Sequence, residues 1–223
     1  MIIEIIEKVL QGVLYIVSRP FIWRARRKYI EEHQEYIEQV EKMDGLYKPE
    51  STDIELANRC REYLSTVFPN GIKEKIQGMS QEELLELFKQ VEKDAEEIMD
   101  VHVDNVNFYA TDEEPECGYC GYYSHDGNSL SVNAAFILHG GPELVEEQIY
   151  TIFHELKHAR QWAAVLKEKD YGYTDTQLET WGENMLNYIP TFVSDELYRK
   201  QPMEVDTFGF ESILKGERKF ETI

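Results

Sequence analysis

The residues with the clearest chemical potential are His154, Glu155 and His158, in the run His154-Glu155-Leu156-Lys157-His158. On an α-helix a spacing of four stacks two imidazoles on one face, one turn apart, close enough to ligate a single metal ion. Glu155 is rotated about 100° around the axis from the first imidazole, so it reaches a metal-bound water and not the metal itself. At this composition a His-acid-x-x-His window is expected roughly 0.03 times by chance, which disfavours coincidence. A hydrolytic zinc site needs a third protein ligand and one open position. No histidine follows His158, so a third imidazole would have to come from upstream, from His125, His139 or another residue there. A carboxylate is the better candidate. Glu204, in the first turn of a helix opened by Gln201-Pro202, is the expected ligand, with Asp206 as the alternative or as a group orienting a ligating histidine. A first-turn acid also complements a helix dipole without any metal, so a structural role competes with ligation.

These side chains require a helix anchored on one side. Ile149, Ile152, Phe153, Leu156, Ala159 and Ala163 supply the apolar stripe, Gly141-Pro142 supplies the start, and the pattern predicts a helix over 143–167 with the two histidines facing a cleft. Upstream the period changes from 3.6 to 2. Segments 105–111, 121–124 and 129–133 alternate apolar and polar residues, and His125-Asp126-Gly127-Asn128 separates the last two, which predicts a small antiparallel sheet. Helices are expected over 53–68, over 81–100 behind the capping box Ser80/Glu83, over 176–188 and over 203–214. Residues 1–18 pattern as an amphipathic helix ended by Pro20, and the basic cluster Arg24, Arg26, Arg27, Lys28 opens a charged helix running to about 43. An apolar stripe beside a basic cluster is also the pattern of a membrane-surface anchor. The simpler reading is a packing or dimerisation helix followed by a solvated one, because the apolar helix itself carries Glu4 and Glu7. The fold class expected is α+β and mostly helical, with a helical region over 1–103 and the sheet and the His-Glu helix within 104–223.

HELKHARQ (154–161) and QPMEVDTFGF (201–210) together resemble the gluzincin type of zinc metallopeptidase, and are most similar to small bacterial and phage proteins carrying HELRHxxQ and QPxExDA segments. Thr207 stands where that pattern has Ala. The resemblance covers about 104–212 and implies a minimal zincin core, Zn2+ bound by His154, His158 and Glu204, and Glu155 as catalytic base. It also implies that the hairpin over 121–133 offers an edge strand to a bound peptide.

Composition narrows the partners. With 23 Lys+Arg against 43 Asp+Glu the net charge is −20, which disfavours nucleic acid and an anionic membrane, and favours a peptide or protein substrate of basic character. Three cysteines are too few for a disulfide scaffold and 1–18 lacks the features of a signal peptide, so a cytoplasmic setting is expected. Cys117 and Cys120 form a lone C-x-x-C, most simply free thiols in a hairpin, with a second metal site or a reversible disulfide as the alternatives. Tyr171, Tyr173, Tyr188 and His125 are unranked candidates for stabilising an oxyanion. Two functions follow as expectations: hydrolysis of peptide bonds, or a catalytically silent zinc-binding regulatory or scaffold protein of the same fold. The N-terminal helices would serve recruitment or homo-oligomerisation.

Overall fold

The computed structural model describes residues 21–109 and 120–217. The amphipathic pattern over 1–18 and Cys117 lie outside the described residues. The chain forms two compact units, one of residues 1–46 with 183–205 and one of 47–182 with 206–223. The residue ranges of α8 (Asp175–Leu186) and α10 (Pro202–Leu214) each include a boundary of that division. The switch from helix to strand near residue 103 lies inside the second unit.

In the first unit, residues 21–32 are helical (α1), followed after a break at His33 by α2 (Gln34–Lys42). Tyr36, Ile37 and Val40 share one side of α2 and pack with Ile189 and Val193. The hydroxyl of Tyr29 donates to the carbonyls of Tyr188 at 2.6 Å and Asn187 at 3.1 Å, tying α1 to the segment after α8. A short helix α9 (Asp195–Lys200), capped by Ser194 through Leu197 N–H, completes the unit.

In the second unit, α3 (Ser51–Val67), α4 (Ile72–Ile76), α5 (Gln81–Met99) and α6 (Ala134–His139) surround the long helix α7 (Pro142–Val165). Ser80 and Glu83 close the predicted capping box reciprocally, at 3.2 and 2.7 Å. Ile149, Ile152, Phe153 and Leu156 on α7 are fully buried with Leu56, Phe88, Val91 and Met99.

The sheet holds β1 (Asn105–Tyr109), β2 (Gly121–Ser124) and β3 (Ser129–Asn133) in the order β1-β3-β2. The hairpin β2–β3 is antiparallel, as the Asp-Gly turn predicts, but β1 pairs parallel to β3, from Asn105↔Ser129 to Tyr109↔Asn133. The sheet is therefore mixed and not antiparallel. Period-2 alternation marks a strand and its buried face but carries no information on the direction of its neighbour.

Candidate metal centre

From Ile152 to Gln161 every residue of α7 is buried, so the histidines do not face an open cleft as their separation from the apolar stripe predicts. Between Ile152 and Gln161 the polar faces of this helix are covered, and His154, Glu155, Lys157, His158, Arg160 and Gln161 each have a defined partner.

Glu204 sits in the first turn of α10, which carries Phe208 and Glu211 on the same side at helical spacing. The turn before it is braced by side chains. Gln201 Oε1 accepts from Asn184 Nδ2 at 2.8 Å and from the Ile189 amide at 2.9 Å, while its Nε2 donates to Ile189 O at 3.0 Å. Asn184 Oδ1 in turn accepts from Met203 N–H at 2.9 Å. The Gln-Pro pair at the start of α10 thus has a local structural role, in which Gln201 closes a buried backbone and Pro202 needs no donor at the helix start.

His154, His158 and Glu204 each offer one ligand atom, and these atoms lie within 4.8 Å of one another. Among the described residues this is the group that could hold a metal ion, and it is the one expected from the sequence. The partners behind the rings determine which nitrogens take part. His154 Nδ1 lies 2.9 Å from Glu211 Oε2, and His158 Nδ1 lies 2.8 Å from Gln161 Oε1. Gln161 Nε2 donates to Asp206 Oδ2 at 2.7 Å, so its amide is turned with the oxygen toward His158. Both acceptors require a proton on Nδ1, which assigns Nε2 of each ring to the convergent group. This is the arrangement by which carboxylates and carbonyls orient metal-ligating histidines. Burial opposes a charge on Glu211, but the His154 hydrogen bond and Lys215 Nζ, at 2.7 Å, outweigh it and hold the carboxyl down at about 2.

The donor set fits a borderline divalent metal: two imidazole nitrogens and one carboxylate oxygen, with each imidazole held from behind. Asp206 does not join the group. Its carboxylate meets Lys157 Nζ at 2.9 Å and Gln161, so it acts on His158 from behind, through Gln161.

Glu155 lies beside this group and is held by the sheet. Its Oε2 accepts from the Tyr123 amide at 2.9 Å. Gly121 makes that approach feasible, because a Cβ there would stand 2.8 Å from Ser131 O and 2.9 Å from Thr151 Cγ2 on α7. Of the oxyanion candidates, Tyr188 reaches the group, donating its hydroxyl to Glu204 Oε1 at 2.6 Å. Burial and then the Glu204 charge push its phenol far above the ordinary range, so it remains a donor. Tyr173 is buried against Lys157 and Asp53, Tyr171 lies under the Arg160 guanidinium at 3.8 Å, and His125 stacks on Trp162 at 4.3 Å. His139 is exposed at the end of α6.

Sequence reasoning missed Gln161, Glu211, Asn184 and Gln201. Two of them carry a signal in hindsight: Gln161 is three residues after His158 and Glu211 seven after Glu204, both helical same-face spacings. Compared with protein-family models, curated proteins and solved structures, the chain has no significant match.

Proposed function

We propose that the chain is a zinc metallopeptidase of the gluzincin type, with His154, His158 and Glu204 holding the ion and Glu155 as general base. The observation that carries this reading is the convergence of those three ligand atoms within 4.8 Å, with Nδ1 of both rings engaged from behind. The sheet beside α7, with β2 at its edge among the described residues, supports a minimal zincin core. When bound, zinc supplies Lewis acidity toward a peptide carbonyl and makes a water acidic enough to be deprotonated near neutral pH. With Oε2 fixed by the Tyr123 amide, Glu155 takes the proton from the attacking water at Oε1 and returns it to the departing amine. Tyr188 orients the Glu204 carboxylate through its hydroxyl hydrogen bond. The net charge of −20 supports cationic peptides as substrates.

The test is cleavage of an unbiased peptide library by wild type and Glu155→Gln at equal zinc loading. Wild type is expected to cleave, and the variant to bind zinc while losing activity by a factor of at least about 100. Hydrolysis that survives in the zinc-loaded variant removes Glu155 as the base. The silent zinc-binding reading draws on one observation, the burial of His154, Glu155, His158 and Glu204. Stoichiometric zinc with no cleavage of any library member by wild type would favour it.

A further inference from the structure

Acid is distributed unevenly along this chain. Residues 8–30 contain six basic residues, Lys8, Arg19, Arg24, Arg26, Arg27 and Lys28, and no Asp or Glu. At the chain's mean density about four acids would fall in such a stretch. The same stretch includes Phe21, Ile22 and Trp23 on α1. A packing helix would bury these three, yet they are 67%, 47% and 60% exposed. Arg24, Arg26, Arg27 and Lys28 follow directly and are exposed as well. Arg26 borders a surface pocket with Ile37, Val193 and Leu197, and the packing of α1 into its own unit begins at Tyr29. Phe21–Lys28 therefore presents an aromatic and aliphatic end followed by a cationic band, on a protein that is strongly anionic elsewhere.

We propose that residues 21–28 form a docking surface for an anionic lipid bilayer. Phe21, Ile22 and Trp23 enter the boundary between headgroups and acyl chains, and Arg24, Arg26, Arg27 and Lys28 meet the lipid phosphates. The association proposed is peripheral, through one end of α1, and no helix among the described residues is long and apolar enough to cross a membrane. The exposed i,i+4 pairs Arg27–Glu31 and Lys28–Glu32 exchange readily for phosphate, because such pairs contribute little in water. The overall charge of −20 counts against an anionic membrane for the chain as a whole, but residues 8–30 carry none of its acid. Screening confines the repulsion to roughly 8 Å at physiological salt, and within that distance the orientation an anionic surface favours is the one that presents the cationic end. Two other partners fit less well. Nucleic acid would use the cations but leave Phe21, Ile22 and Trp23 without a role. A second copy would bury the apolar trio but bring two cationic bands together.

The test is sedimentation of the full chain with vesicles of phosphatidylcholine alone and with about 30% phosphatidylglycerol. Expected are partitioning at least tenfold stronger on the anionic vesicles, weakening with salt, and a blue shift of Trp23 emission that Trp23→Phe abolishes. The variant R24Q/R26Q/R27Q/K28Q should lose about 100-fold in partitioning and F21S/W23S about tenfold, both with unchanged circular dichroism and melting temperature. The proposal is overturned by failure of wild type to bind either vesicle, or by undiminished binding of the quadruple variant. It is equally overturned if F21S/W23S turns a dimer into a monomer while wild type ignores vesicles, or if duplex DNA and not lipid shows the dependence on these cations.

Discussion

Helix α7 carries two buried polar clusters on different faces, and they answer the cost of burial in opposite ways. Lys157 is fully buried, and its ammonium meets Asp53 Oδ1 at 2.7 Å, Asp206 Oδ2 at 2.9 Å and Tyr173 Oη at 3.0 Å, within a wall formed by the rings of Tyr173, Trp181 and Phe210. Three donors have three acceptors. Burial alone would lower the Lys157 pKa, but the two carboxylates outweigh it and hold it well above the ordinary range. Two carboxylates share one cation, and burial with the Asp53 charge pushes Asp206 up to about 6 in spite of Lys157. One turn along, the His154/His158/Glu204 group converges lone pairs on a common point, which is the chemistry of a cation site. The first cluster meets its own cation with its own acceptors, and the second converges acceptors on a point that could hold a cation. Gln161 joins the two, accepting from His158 and donating to Asp206.

The comparison breaks most easily at Lys157. Lys157→Met leaves Asp53 and Asp206 buried without a cation, which should cost about 3–5 kcal/mol and lower Tm by about 10 °C or more. An unchanged Tm would show that the cluster is not what holds α3 to α7. The second prediction concerns the other cluster. Zinc at about 1,000 times its Kd should stabilise wild type by about 4 kcal/mol, with chelation reversing the shift. Glu204→Gln and His158→Gln should lose that shift while unfolding near the wild-type temperature without zinc. A loss of stability in metal-free His158→Gln as large as that of Lys157→Met would erase the distinction. The link is tested by Gln161→Leu, which should weaken zinc binding roughly 10- to 100-fold in a competition titration.

The smallest effect belongs to a buried carboxyl with neither a cation nor a convergent site, which stays protonated instead. Glu92 on α5 is buried with Glu96 as its neighbour, and burial first, then the hydrogen bond and charge of Glu96, push its carboxyl up to about 8. The folded state holds a proton that the unfolded state loses above its ordinary value, so stability falls as pH rises from about 4.5 to about 8. Glu92→Gln removes this loss. It should raise Tm by roughly 3–6 °C at about pH 8 and leave it unchanged at about pH 4.

Much of this was legible without coordinates. The capping box Ser80/Glu83, the Pro142 start and the Asp-Gly hairpin are local signals, and each lies where it was expected. His154, Glu155 and His158 are legible because a helix repeats every 3.6 residues whatever surrounds it. Glu204 could be named from its position in a helix start, but not separated from Asp206, since both are acids in the first turns of α10. Helices α4, α6 and α9 were missed, being too short for periodicity to register.

Residue order alone therefore determined the longer elements, the i,i+4 imidazoles and the segregation of cations into residues 8–30, all consequences of local geometry and composition. Tertiary structure decided which acid meets the histidines, which tautomers they adopt and how β1 pairs. It also placed Asp53 against Lys157, 104 positions apart in the chain. These are choices between groups of similar chemistry, and only the packing of distant segments, with the cost of leaving a buried charge unmatched, can separate them.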